Sequence, residues 1–248
     1  YLKSSLDQNE LATKGIANYN YTAATPVVTG TTDENGDLTF NDLFYGTYIV
    51  VETRVGSPKY AAITPYEVTL PVADGAGYKG DVYETLVDEW IYARLRVEKL
   101  DEATGNTIIG NATYKIKSEE TGKYLSLNVL TTDGMKKVDT FTTNADGYFY
   151  FYDKIPAGDY VLEEQGTSSG IYGLENIKFT VSADGIRYVR LDADGNVIGT
   201  AENAEKYLDA NGTLLYTIKA YDAPKRVSVE KVDIEGNRIT GALLGITK

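Results

Sequence analysis

Three lysines each stand at the end of a short apolar alternation. Leu95, Val97 and Lys99 fall on one face of a strand, because successive side chains of a strand point to opposite faces. The same pattern recurs before Lys231 and, in a shortened form, before Lys3. A lysine that points into a core is costly unless its amine is neutral, paired or chemically used. The repetition therefore predicts several strand-rich units that bury a lysine for a reason.

The composition favours strands along the whole chain of 248 residues. It has 21 tyrosines and 24 glycines, and its Thr, Val and Ile alternations are separated by Asp-Gly and Asn-Gly turns, which is typical of all-β proteins. The absence of cysteine and histidine excludes disulfides, thiolate nucleophiles, imidazole bases and the usual zinc and haem ligands. We therefore expect no cofactor and no metal site.

The charge of the chain excludes two classes of partner. A net charge of −12 and a pI of about 4.6 make the surface repel phosphate backbones and anionic lipid, so we expect neither nucleic acid nor membrane as a partner.

The sequence has no signal peptide and no apolar span of about 18 residues. Because it opens and closes inside repeated units, we expect it to belong to a longer protein.

Two blocks of sequence repeat along the chain. The first is a strand that ends in lysine, a polar turn, and a glycine that opens the next strand; its copies place those glycines at Gly15, Gly110 and Gly241. The second is an Asn-Gly or Asp-Gly turn followed by a strand and a further glycine turn, over residues 31–52 and 142–164. A strand that ends in aspartate is predicted to close each complete unit, over 82–88 and 214–222.

The repeats predict three domains arranged as a stiff rod. We expect a first β-sandwich over residues 1–90, a second and longer one over 91–224, and the opening strands of a third, incomplete repeat over 225–248. The joints at 89–92 and 223–226 are short and not rich in glycine, which favours stiffness. The extra length of the second domain is predicted to form hairpins near 133–134 and 192–195, and residues 201–211 could form one short helix.

Each complete unit ends three of its apolar stripes with ionisable groups. On the middle strands, Tyr160, Leu162 and Glu164 share a face, as do Tyr48, Val50 and Glu52 in the first unit. With the lysine and aspartate of the first and last strands, the two sets are Lys99, Glu164 and Asp222, and Lys3, Glu52 and Asp88.

Two interpretations of these sets are open. The first is a buried ion pair with a spare carboxyl. The second is a spontaneous lysine–aspartate amide, because burial in general lowers the pKa of a lysine and raises that of a carboxyl, so a neutral amine can face a protonated aspartate. A neutral glutamic acid beside them would hydrogen-bond the aspartyl carbonyl and relay protons as water leaves.

The motifs in this order resemble a known family. The order is Lys-x-Asp, Gly-(Asn)-Ala, Asp-Gly, Leu/Ile-x-x-Gly-x-Tyr-x-x-x-Glu and a closing Asn/Asp-x-Pro. It resembles the B-type (CnaB or SpaA-like) repeats of Gram-positive collagen adhesins and the related pilin domains. The resemblance implies tandem two-sheet sandwiches of transthyretin-like or inverse immunoglobulin-like, Greek-key topology. It also implies an extracellular, cell-wall-attached protein of a Gram-positive bacterium.

The resemblance also implies one intramolecular isopeptide bond per domain. It assigns Lys99 with Asp222, and Lys3 with Asp88, as the crosslinked pairs, and it assigns Glu164 and Glu52 as the groups that promote the bonds. The sequence departs from the family pattern in having Asp where Asn is commoner, and no proline follows Asp88 at the expected place. No Leu-Pro-x-Thr-Gly sorting signal or pilin lysine motif is present in these 248 residues.

The predicted function is structural. We expect stalk modules of a surface adhesin or pilin, with neighbouring repeats of the same chain as partners, and no enzyme activity apart from a single self-crosslinking turnover. The alternative is a module that binds host matrix or glycan through its loops. A hydrolase with paired carboxylates is disfavoured because Glu52 and Glu164 fall on core-facing stripes. The calcium-like segments 33–37 and 192–196 are expected to be hairpin turns, since neither continues into the glutamate of an EF-hand.

The third repeat generates a prediction about Lys231. The tail that follows it has neither a Tyr-x-x-x-Glu strand nor a closing aspartate strand, so Lys231 should have no intramolecular bond in this chain. In a chain extended by about 100 residues, a further domain should supply both and crosslink Lys231. Peptide mapping of the longer chain checks this. An unmodified Lys231 in a folded third domain would show that the Lys-x-Asp pattern does not by itself mark a reactive lysine.

Overall fold

A computed structural model provides the structure of most of the chain. The described residues are 1–75, 77–79, 81–102, 104–107, 111–131, 134–166, 176–192, 194–222 and 229–245. Features named above that lie outside them are the turn glycine Gly110, Asp133 of the first hairpin, residue 193 of the second, and the joint 223–226. Within these ranges no helix is long and apolar enough to span a membrane.

The chain divides into two compact units. The first contains Tyr1–Ala93 together with Ile155–Gly158 and Val181–Asp184, and the second contains Arg94–Lys154, Asp159–Thr180 and Gly185–Lys248. The domain bounds predicted from the repeats, at 90/91 and 224/225, stay a prediction.

The first unit combines short helices with short strands. Its α-helix is α1 (Gln8–Lys14), and 3-10 turns lie at Lys3–Ser5, Ile16–Asn18 and Tyr21–Ala23. The strands of the chain up to residue 93 are β1 (Gly46–Val50), β2 (Tyr60–Ala61), β3 (Tyr66–Leu70), β4 (Val72–Asp74), β5 (Gly77–Lys79), β6 (Glu89–Trp90) and β7 (Tyr92–Ala93). They form two-stranded antiparallel sheets, among them β1 with β3, β2 with β6 and β4 with β5.

In the described residues from 94 onward the regular elements are strands. They are β8 (Leu95–Asp101), β9 (Thr113–Ser118), β10 (Leu127–Thr131), β11 (Gly134–Val138), β12 (Phe141–Thr142), β13 (Tyr148–Tyr150), β14 (Ile155–Pro156), β15 (Gly158–Gly166), β16 (Asn176–Ser182), β17 (Gly185–Leu191), β18 (Val197–Asn203), β19 (Glu205–Leu208) and β20 (Leu214–Asp222). One sheet has six strands in the order β12-β9-β15-β16-β17-β18, and another has four in the order β13-β8-β20-β19. The predicted all-β, sandwich-type class is confirmed.

Strict alternation explains how the second unit forms its core. Along β8, Leu95, Val97 and Lys99 are completely buried, while Arg96 and Glu98 on the opposite face are only partly buried. The strand pairs with β20 in parallel and with β13 in an antiparallel manner, so it lies inside its sheet rather than at an edge. The core-facing stripe predicted for this strand is confirmed.

The helix suggested for residues 201–211 is wrong. Those residues extend β18 and form β19, which pair with β17 and β20 respectively. The helix-forming residues Ala, Glu and Lys in this stretch are overridden by strand pairing, because intrinsic propensity is weak against tertiary context. The two predicted hairpins are present as the antiparallel pairs of β10 with β11 and of β17 with β18.

The first unit departs from the predicted pattern at several places. The strand expected directly after the turn at 33–37 is absent, since residues 38–45 contain no strand. Residues 82–88 were expected to form its closing strand, but they have no regular structure. The segment after Lys3 was expected to form a strand and a turn, but it forms α1. Asp7 caps this helix by accepting hydrogen bonds from the N–H groups of Asn9 and Glu10, and Gly15 ends it with φ 69°. A helix therefore replaces the turn found in the second unit.

Candidate functional site

Three strands bring Lys99, Glu164 and Asp222 together inside the second unit. Lys99 lies on β8 and Asp222 on β20 of the four-stranded sheet, and Glu164 lies on β15 of the six-stranded sheet. In the parallel register Lys99 stands opposite Ala220, so Asp222 is two residues further along on the same face. The site therefore joins adjacent strands of one sheet to a strand of the other.

The three side chains are in direct contact and isolated from water. The Lys99 Nζ atom lies 2.9 Å from Glu164 Oε2, and it also contacts Asp222 Oδ1. The lysine side chain is 1% exposed and both carboxylates are 0% exposed. The inward placement of the three residues was predicted from alternation, and their low exposure agrees with it. The reactive role of the three residues stays a prediction.

Burial controls the protonation of Asp222. Removal from water raises the pKa of the Asp222 carboxyl above its usual value, although the hydrogen bond and charge of Lys99 act in the opposite direction. A hydrogen bond with Glu164 also favours the charged form. The site thus places one amine against two buried carboxyls, and burial favours the protonated form of Asp222.

Apolar side chains surround the three groups. The completely buried neighbours on the same strands and their partners are Leu95, Val97, Ile116, Leu162 and Ile218. Electrostatic interactions and hydrogen bonds are stronger in such an environment than in water, and water does not compete for the reacting atoms. The surroundings therefore favour either a tight ion pair or a condensation that releases water.

The structure does not bring the first predicted set together. Lys3 lies in a 3-10 turn, and its Nζ atom pairs with Glu67 Oε1 at 2.6 Å, with both side chains 36% exposed. Glu52 accepts a hydrogen bond from the N–H of Ile63 at 3.0 Å, and Asp88 is partly exposed. Among the described residues, no ion pair joins Lys3 to Glu52 or Asp88. The helix that follows Lys3 and the irregular segment that ends in Asp88 explain the difference.

Lys231 is exposed in the tail of the chain. Its carbonyl accepts a hydrogen bond from the N–H of Ile239, and Asp233 Oδ1 accepts from the N–H groups of Glu235 and Asn237. These bonds form a small turn rather than a sandwich. Val227, the first residue of the apolar alternation that precedes Lys231, lies outside the described residues. The absence of a bond at Lys231 stays a prediction.

The two calcium-like segments are turns whose carboxylates are occupied. Asp33 Oδ1 accepts hydrogen bonds from the N–H groups of Asn35 and Asp37, and these backbone donors lower the pKa of Asp33. Asp192 has the same arrangement with Asp194 and Asn196. In the part of the chain that the structure describes, no group of three or more acidic residues could hold a metal ion.

The sequence interpretation gave no role to Tyr114, which lies beside the site. Its ring centroid is 5.7 Å from the Lys99 Nζ atom, and the side chain is completely buried. The signal that could have indicated this position is the alternation of buried residues that starts at Ala112, just before β9, and continues with Tyr114 and Ile116. Alternation shows the face of a residue but not its neighbour across the sandwich.

Comparison with known proteins gives one family match. The family described as "SpaA: Prealbumin-like fold domain" matches residues 6–81 and 93–197. No curated protein sequence matches the chain. Because the family match covers well over half of the chain, it is sufficient to show membership.

Several solved structures are similar to the chain at low identity. The streptococcal ancillary pilin is 20% identical over 74% of this chain and 43% of that one, with a TM-score of 0.29. The shaft pilin SpaA from Lactobacillus rhamnosus GG is 18% identical over 80% and 70%, with a TM-score of 0.31. The basal pilin SpaE from the same organism is 20% identical over 78% and 65%, with a TM-score of 0.32. The chain thus spans less than half the length of the ancillary pilin.

The contrast between two lysines gives a test of the site. We expect Lys99→Ala to destabilise the protein by about 3–5 kcal/mol, because it leaves two buried carboxyls without their cation. Lys3→Ala is the matched control and should cost no more than about 1 kcal/mol, because its ion pair is partly exposed. Denaturant unfolding followed by circular dichroism measures both. Equal effects of the two substitutions would contradict the buried placement of Lys99.

Proposed function

Because the chain belongs to the SpaA family of prealbumin-like fold domains, we propose that it is a structural module of a pilin or pilin-like surface protein, strengthened by an amide bond between Lys99 and Asp222. The predicted resemblance to SpaA-like domains is confirmed by this membership. The observation that carries the proposal is the contact of the Lys99 amine with two carboxyls that are 0% exposed.

The proposed reaction needs no further reactant. The ammonium of Lys99 and the carboxylate of Asp222 contain the atoms of one amide and one water. The Nζ–Cγ bond forms, one Cγ–O bond of Asp222 breaks, and the two protons that leave Nζ depart with that oxygen as water. Charge balances as well, since a cation and an anion become two neutral products. The reaction therefore occurs once per chain, without a cofactor.

Glu164 is placed to move the protons. Its Oε2 atom is 2.9 Å from Lys99 Nζ, so as a carboxylate it can accept a proton from the ammonium and release the amine as a nucleophile. Because Glu164 and Asp222 both contact this amine, a proton taken up by Glu164 lies close to the aspartate oxygen that departs. Burial raises the pKa of Asp222, which favours the protonated carboxyl whose hydroxyl can leave as water.

The position of the bond explains what it would contribute. It would join β8 and β20, the first and last strands of the second unit, which are hydrogen-bonded neighbours in parallel register. It would close a loop with a sequence separation of 123 residues, and in the chain-entropy account a crosslink of that span stabilises by about 4–5 kcal/mol. Tension applied along the chain would pass through the amide and bypass the strands between. This is the role expected of a stalk module.

The remaining parts of the proposal concern the whole protein. We assign it to the exterior of a Gram-positive cell, attached to the wall, with neighbouring repeats or subunits as its partners in a rod. Family membership supports an extracellular surface protein.

The two units differ in the burial of their lysines. The side chains of Lys99, Glu164 and Asp222 are 1% exposed or less, whereas Lys3 and its partner Glu67 are each 36% exposed. We therefore propose one crosslink in these 248 residues, in the second unit.

The role of Glu164 can be tested with a neighbouring glutamate as control. Glu164→Ala should fold but leave Lys99 and Asp222 unjoined, so its mass should exceed that expected for a substituted, crosslinked chain by one water. Glu163→Ala should remain crosslinked, because Glu163 points to the other face and accepts a hydrogen bond from the Tyr124 hydroxyl at 2.7 Å. Intact mass spectrometry reads both. Complete crosslinking in Glu164→Ala would eliminate Glu164 as the proton carrier.

A further inference from the structure

A completely buried aromatic ring lies next to the amine of Lys99. The Nζ atom is 5.7 Å from the centroid of the Tyr114 ring, within the range in which the ring face attracts a cation. Lys99 therefore has three neighbours that restrict its amine: the carboxyls of Glu164 and Asp222, and this ring. The two carboxyls take part in the proposed chemistry, whereas the ring contributes no proton or electron pair to it.

The sheet places Tyr114 beside Glu164 as well. The two residues stand directly opposite each other in the antiparallel pair of β9 and β15, and on the other side of β9 Phe141 stands opposite Tyr114. Side chains that are opposite in such a pair lie within contact distance. A single ring thus lies next to both the nucleophile and the proton carrier.

The ring itself is held in place by further aromatic side chains. The Tyr114 and Phe149 centroids are 5.6 Å apart with tilted planes, and Phe149 is 5.6 Å from Phe141 in a stacked arrangement. All three side chains are buried. Because packed aromatic rings have few alternative rotamers, Tyr114 forms a rigid wall rather than an adaptable contact.

We propose that Tyr114 is a positioning residue for the crosslink, holding the Lys99 amine against Asp222 until the amide forms. This inference rests on the proposed function. Lysine has a long flexible side chain, and a flat wall on one side of its amine removes conformations in which Nζ turns away from the aspartate. Displacement of a reacting atom by about 1 Å can cost on the order of a hundredfold in rate, so the wall affects how fast the bond forms.

The proposal predicts rates rather than stability. Tyr114→Phe retains the ring face and should crosslink at the rate of the unsubstituted chain. Tyr114→Leu removes the ring and should crosslink roughly tenfold to a hundredfold more slowly while still folding. Tyr160→Leu is the matched control, since it also removes a buried tyrosine ring, one that stacks on Phe179 at 5.2 Å. It should crosslink at the normal rate even though it loses core packing.

Cell-free synthesis allows the rate of amide formation to be measured from a defined starting time. Synthesis of the full chain is stopped, samples are quenched in denaturant at intervals, and intact mass measures the fraction that has lost one water. Circular dichroism of each variant in a Glu164→Ala background compares folding without the bond. Tyr114→Met, whose flexible side chain fills the space without a ring, replaces Tyr114→Leu if the latter does not fold.

The measured rates of amide formation either support or overturn the positioning role of Tyr114. Slow bond formation in the folded ring-less variant, with normal rates in Tyr114→Phe and Tyr160→Leu, supports the positioning role. An unchanged or faster rate in the ring-less variant overturns it, as does failure of both ring-less variants to fold, which would make Tyr114 a packing residue alone. If the unsubstituted chain never loses water, the proposed function itself fails, and that result is distinct from the others.

Discussion

The structure of the second unit depends on one buried contact between a lysine and two carboxyls. Lys99 and Asp222 come from one sheet and Glu164 from the other, so the contact forms only when the two sheets pack together. Buried charges of this kind are tolerated only when their partners are in place, since loss of one partner leaves an uncompensated charge. The apolar stripes of the strands supply the packing energy, and the three ionisable groups meet only when their strands are adjacent in this register.

The Lys-x-Asp pattern occurs at Lys99 and at Lys231 and has different outcomes there, because its aspartate and its lysine depend on different contacts. At the start of the chain Lys3 is followed by two serines, so that copy lacks the aspartate. The aspartate of Lys-x-Asp forms turns: Asp101 Oδ1 accepts a hydrogen bond from the N–H of Thr104, and Asp233 Oδ1 accepts one from Glu235. The lysine is buried only where complete strands cover it. Lys99 has such strands, whereas Lys231 is exposed although the aspartate two residues after it also caps a turn. The pattern therefore predicts a turn at its aspartate, whereas burial of its lysine depends on the strands that cover it.

Alternation predicted the second unit well because each of its three key strands is regular. The inward placement of Lys99, Glu164 and Asp222 follows from residue parity along β8, β15 and β20, which needs no knowledge of tertiary structure. The first unit was predicted less well, although Asp7, Glu10 and Gly15 are helix start and stop signals that could have indicated α1. The strands at 197–208 and the position of Tyr114 depend on pairing across the fold, which local sequence does not encode.

The proposed function depends on an amide between Lys99 and Asp222 in the mature protein. The intact mass of the purified, unsubstituted chain reveals this bond, and peptide mapping locates it. With the amide formed, we expect a mass lower than that of the sequence by one water, and a branched peptide that contains Lys99 and Asp222. A mass equal to that of the sequence would exclude the crosslink and leave a buried ion pair in its place.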